Sequence, residues 1–137
     1  MGCTGNNEKG LAKIGKIAVL YKLLYLGVKI KRGEKMVFSD EDNKKVWEKG
    51  TVVRGYDKKK WRKDHCGAWI YRSSYGKTGS RTNYGWQIDH IDHDTSNNSL
   101  SNLRPLQWAN NNDRGDGNVK CYVTSKGNKN VDNKPKA

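Results

Sequence analysis

The sequence predicts an α+β domain, and three observations near its middle lead there. Tyr84-Gly85-Trp86-Gln87-Ile88-Asp89-His90-Ile91 mixes apolar and polar residues as a half-buried strand does. Leu103-Arg104-Pro105-Leu106 is short and extended, because Pro105 biases Arg104 away from helix. Gln107 to Arg114 reads as a short helix ending near Gly115. The polar run 92–101, DHDTSNNSLS, is the loop between the strands, so strand, long loop, strand and helix fill residues 84–115.

The remaining elements follow in chain order. Residues 8–29 carry Leu11, Ile14, Ile17, Ala18, Tyr21, Leu24, Tyr25 and Val28 at three- and four-residue steps, an amphipathic helix pattern weakened by Gly10, Gly15 and Gly27. Asp40 to Lys49 reads as a short helix stopped by Gly50. Thr51-Val52-Val53 is β-branched and strand-like, as is Gly67-Ala68-Trp69-Ile70-Tyr71. Residues 72–83 are rich in turn formers, and no internal repeat is present.

Three regions follow from these elements: a basic N-terminal helical arm at 1–35, a domain at 36–117 and a basic, disordered tail at 118–137. The chain has 137 residues, 27 Lys and Arg against 14 Asp and Glu, and a formal net charge of +13. The three regions carry +6, +3 and +4 of it. With 34% hydrophobic residues and a mean hydropathy of −1.02, a large core is excluded. An excess of this size points to a polyanion partner.

Two stretches sharpen that reading. Residues 44–63 hold nine basic and two acidic side chains, interleaved with Trp47, Tyr56 and Trp61. Within it Lys58, Lys59, Lys60, Arg62 and Lys63 are the candidate phosphate contacts, with Arg104 as a further one. Residues 89–116 hold five Asp and only Arg104 and Arg114, a local acidity that suits a bound cation. The five Trp residues read as packing residues rather than platforms for bases.

Cys3, Cys66 and Cys121 are odd in number and far apart, which predicts reduced thiols in an intracellular protein and neither a disulfide framework nor a zinc site. Ile17 to Val28 is too short to span a bilayer and is interrupted by Lys22 and Gly27, so no membrane partner is expected. A lipidation start at Met1-Gly2-Cys3 is disfavoured by Asn6.

Asp89 can hold a hard cation and His90 can accept a proton from water, while Asn102 and Asn111 offer amide oxygens. Trp86-Gln87-Ile88-Asp89-His90-Ile91, followed by Leu100-Ser101-Asn102-Leu103-Arg104-Pro105-Leu106-Gln107-Trp108-Ala109-Asn110-Asn111, resembles an HNH endonuclease. Asn111 lies nine residues after Asn102, the spacing of the His-Asn-Asn variant found in phages and mobile elements. The resemblance extends from Val46-Trp47-Glu48-Lys49-Gly50 to Arg114-Gly115-Asp116.

That resemblance implies a ββα-metal core and one divalent cation, Mg²⁺ first, with Mn²⁺ or another transition metal as substitutes and no structural zinc. It implies DNA as the partner and an intracellular protein encoded by a phage, a virus or a bacterium. His90 corresponds to the general base, Asp89 and Asn111 to metal ligands, and Asn102 to the residue that braces the loop and orients the histidine. The competing readings are a DNA-binding protein whose site no longer cleaves and a basic RNA-binding protein.

Overall fold

The computed structural model describes residues 38–137. The helix expected at 8–29, and with it the N-terminal arm, lies outside the described residues. Within them are two short α-helices and three two-stranded antiparallel sheets.

Helix α1 (Asp40–Trp47) starts where Ser39 Oγ accepts the Asp42 N–H at 3.1 Å, with three acids in its first turn and Lys44 and Lys45 in its last. Strand β1 (Trp61–Lys63) pairs with β2 (Trp69–Tyr71), Arg62 opposite Ile70. Of Thr51-Val52-Val53, only Thr51 pairs, in a single bridge to Lys63. The strand thus falls one segment later than expected, inside the lysine-rich stretch.

Strand β3 (Trp86–His90) pairs with β4 (Leu103–Gln107), Asp89 opposite Arg104. Gly85 precedes β3 because a Cβ there would sit 1.9 Å from the Lys77 carbonyl oxygen. Helix α2 (Trp108–Arg114) follows β4 directly. Gln107 Oε1 caps it by accepting the N–H groups of Ala109 and Asn110, and Gly115 ends it at φ 54°. The strand, loop, strand, helix order is the one the sequence predicts.

Val46, Trp47, Ile70, Trp86, Ile88 and Leu103 form one buried cluster, with Phe38 against it. Ala68, Ala109 and Val123 form a second beneath Trp108. The last of these comes from the region read as disordered. Instead, β5 (Val123–Lys126) and β6 (Lys129–Asp132) form a hairpin there. Asn130 Oδ1 accepts the Trp69 N–H at 2.6 Å and its Nδ2 donates to Trp69 O at 2.9 Å. Arg81 grips both Asp113 of α2 and Asp132 of β6, holding both carboxyls below the usual range. Composition suggested disorder, but a polar segment orders itself when its polar groups find fixed partners.

The thiol expectation is also corrected. Cys66 and Cys121 form a disulfide across 55 residues of sequence. Spacing concealed the pair because the fold returns the end of the chain to the β1–β2 turn.

The centre of this arrangement is the buried Asp64 carboxylate. Oδ1 accepts the N–H groups of Cys66 and Ala68 at 2.9 and 2.8 Å. Oδ2 accepts the Gln107 N–H at 2.9 Å and Asn110 Nδ2 at 3.2 Å. Burial pushes its pKa up, and the four donors pull it back. Asp64→Ala strands those donors, and a loss of about 3–5 kcal/mol is expected in urea unfolding followed by Trp fluorescence. A loss below about 1 kcal/mol would remove Asp64 from this role.

Candidate active site

The site is built on β3, the β3–β4 loop and α2. On β3, side chains two apart share a face. Gln87 and Asp89 therefore point one way, and Trp86, Ile88 and His90 the other. Helix α2 covers the Gln87–Asp89 face. Asn111 Nδ2 donates to Gln87 Oε1 at 2.6 Å. One helical turn later, Arg114 Nη1 binds Asp89 Oδ1 and donates to His90 O at 2.7 Å. Arg104 Nε, across the ladder, donates to Asp89 Oδ2 at 2.8 Å. Asp89 is only 4% exposed, so its charge stands between two guanidinium groups rather than in water.

Three consecutive asparagines divide by role here. Asn110 is fully buried, donating to Asp64 and Val123 and accepting the Val123 N–H. Asn111 is half-buried against Gln87, and Asn112 is exposed.

His90 is engaged from its other face. Its ring lies 6.0 Å from that of Phe38, and Nε2 is 2.8 Å from Asn98 Oδ1. Asn102 does not bond the imidazole. Its Oδ1 accepts the Asp92 N–H, and its Nδ2 donates to Asp92 Oδ1 and Asn97 O. Asn97 Nδ2 closes the network on Asp92 Oδ2 and, with the Asp94 N–H, holds the Asp92 carboxyl below the usual range. Asn102 thus braces the loop, and the side chain that bonds the histidine ring is Asn98. The left-handed position of the loop falls at His93, φ 68°. His93 Nδ1 meets Arg114 Nη2 at 2.7 Å.

Asn98, Arg114 and Gln87 were missed as site residues in the sequence. For two of them the signal was present. Arg114 is three residues after Asn111 on a helix, and Gln87 is two before Asp89 on a strand. Asn98 lies in a loop, where no period applies.

The basic stretch is partly redistributed. Arg62 is 8% exposed and spends its guanidinium on the carbonyls of Lys58, Glu48 and Gly50, which corrects its reading as a phosphate contact. Arg104 is committed to Asp89. Lys63 lies with its ammonium 4.7 Å from the Trp69 ring centre. Lys58, Lys59 and Lys60 are exposed. Lys58 and Lys59 share with Lys44 and Arg72 an open cavity of about 630 Å³ in which Glu48 is the only acid among the described lining residues.

No group of three or more His, Cys, Asp or Glu able to hold a metal gathers among the described residues. The candidate donors are instead a carboxylate and an amide, hard oxygens of the kind Mg²⁺ takes. Each Asp89 oxygen accepts from an arginine, so a cation there would share the carboxylate with two guanidinium groups. Asn111 spends its Nδ2 on Gln87 and keeps its oxygen clear of that bond. As oxygen donors the pair suits a hard divalent ion.

Residues 69–113 match the HNH endonuclease family. This HNH match spans β2 through α2 and includes Asp89, His90, Asn102 and Asn111. It brings with it nuclease activity as the family's chemistry. No curated protein and no solved structure matches the chain. Among the described residues, no helix is long and apolar enough to cross a membrane.

The division of the asparagines can be tested by stability alone. Asn110→Ala is expected to cost about 2–4 kcal/mol, because it strands buried groups at Asp64 and Val123. Asn111→Ala is expected to stay within about 1 kcal/mol of the parent. Thermal melts of the two variants check the register of α2, and a reversed order would shift it by one residue.

Proposed function

We propose that the protein is a divalent-metal-dependent DNA endonuclease of the His-Asn-Asn kind, with its ββα-metal nuclease domain at residues 36–117. The observation that carries this reading is that Asp89 and His90 are neighbours at the end of β3, Asp89 on the face where α2 brings Asn111 to Gln87 and His90 on the face where Asn98 bonds its ring. The scissile phosphate would lie across the strand's end, within reach of both. Asp89 and Asn111 would hold the ion. When bound, the ion offsets negative charge on the scissile phosphate and on the departing 3′ oxygen.

Everything else is work for the chain's own side chains. An Nε2–H donated to Asn98 Oδ1 leaves His90 Nδ1 as the basic nitrogen. That nitrogen takes a proton from the attacking water as the new P–O bond forms and the P–O3′ bond breaks. Asn102 keeps the loop closed through Asp92 and Asn97, so that Asn98 stays at the imidazole. Arg114 and Arg104 fix the Asp89 carboxylate in place. One such site per chain cuts one strand per encounter.

Plasmid cleavage with Mg²⁺, with and without EDTA, tests the proposal. His90→Ala is expected to lose on the order of 100-fold or more of the cleavage rate with DNA binding kept. Asn111→Ala is expected to be nearly inactive, and Asn111→His to regain activity with Mn²⁺, Co²⁺ or Ni²⁺. Cleavage by His90→Ala within a few-fold of the parent would overturn the assignment of the base.

The exposed lysines carry a separate expectation. Replacing Lys58, Lys59 and Lys60 with Ala should flatten the slope of log K against log salt by roughly 2–3 units in a DNA-binding titration. Arg62→Ala should lower the melting temperature instead. An unchanged slope for the triple variant would mean that these lysines only solubilise the chain.

A further inference from the structure

β1 sends neighbouring side chains to opposite faces. Arg62 goes to the carbonyls under α1, and Trp61 goes to the other side. There the Trp61 ring meets Tyr71 at 4.6 Å between centres, Tyr84 edge-on at 4.9 Å and Trp69 edge-on at 6.2 Å. Tyr56, from the loop before β1, lies 4.5 Å from Trp69. These rings do not close on one another. An open cleft of about 330 Å³ remains, lined by Tyr56, Trp61, Trp69, Tyr84 and Asn128.

Packing alone explains the floor of this cleft but not its walls. Trp69 is buried and gives its indole N–H to Gly127 O at 2.8 Å. Tyr56 is 42% exposed, and Trp61 and Tyr84 are half-buried. An aromatic group whose only task was stability would be expected to bury these rings more fully, because each ring carries a large apolar area. The surroundings are cationic. Lys58, Lys59 and Lys60 are exposed on the loop that carries Tyr56, and Lys126 and Lys129 flank the turn that carries Asn128. Lys63 stands over Trp69. No carboxylate is among the described lining residues.

We propose that this cleft takes an unpaired base of a single DNA strand, stacked on Tyr56 and Trp61, with the strand's phosphates against the lysines on either side. Flat aromatic walls accept any base through its π face, whereas bases inside a duplex are already stacked and cannot enter. Asn128 lines the cleft as well, its backbone carbonyl 3.5 Å from the Tyr84 hydroxyl, and adds polar groups where base edges present donors and acceptors. The choice of polymer rests on the DNA endonuclease reading; the stacking itself is independent of cleavage.

The test uses the full chain in EDTA, so that nothing is cut. A short fluorescein-labelled deoxythymidine oligonucleotide is compared with its abasic counterpart of equal length and charge, by anisotropy and by quenching of Trp emission. The oligonucleotide with bases should bind on the order of 10-fold more tightly and quench more strongly. Tyr56→Ala should abolish that difference while leaving the abasic affinity unchanged, and Tyr56→Phe should keep it. His90→Ala should keep it too, so failure of the nuclease reading would show only in cleavage. Equal affinities for the two oligonucleotides in the parent protein would overturn the proposal, whatever the variants do. Equal weakening of both by Tyr56→Ala would overturn it as well. So would tighter binding of a free deoxynucleoside monophosphate than of the oligonucleotide, which would assign the cleft to a small ligand.

Discussion

The buried carboxylate of Asp64 is the constraint on which the rest of the structure depends. It gathers N–H donors from the β1–β2 turn, from the end of β4 and from α2. A buried charge without partners is costly, so the side chain enforces the meeting of these segments. Asn110 passes the constraint on to Val123 and so to the terminal hairpin. With apolar clusters this small, buried polar bonds carry much of the specificity that a larger core would supply.

This hub also sets the candidate active site. Because Asn110 is turned inward to Asp64, the helical period turns Asn111 toward Gln87 and Arg114 toward Asp89. The interior thus fixes which of three identical residues faces β3. The loop between the strands is held by a separate network centred on Asp92, and that network delivers Asn98 to His90. Two faces of one strand are therefore supplied by two supports, joined where Arg114 of α2 meets His93 of the loop.

Charge is divided as well. Four arginines are spent on fixed partners, Arg62 on backbone carbonyls, Arg114 and Arg104 on Asp89, and Arg81 on Asp113 and Asp132, where a planar group with several donors is well matched. Lysines with little buried structure remain outside on the loop before β1 and on the terminal turn. As Lys134 reaches Asp113, so Lys49 reaches the backbone. It donates to the Leu100 and Leu103 carbonyls, and burial and the nearby Arg104 lower its pKa.

The local elements were legible in the sequence. Pro105, the apolar rhythm of Trp86 and Ile88, and the stops at Gly50 and Gly115 act within a few residues of where they stand. The spacing of Asp89, His90, Asn102 and Asn111 likewise needs only the order of residues. What tertiary structure decided are the long-range pairings. Cys66 with Cys121, Asn130 with Trp69, and Arg81 with Asp132 join positions about fifty or more residues apart. Composition made the terminal segment look disordered, since its hairpin is ordered by partners elsewhere in the chain. Arg62 looked like a surface charge because its carbonyl partners carry no side-chain signature. Local preferences are written residue by residue, but a polar group's partner is known only once the chain has closed on itself.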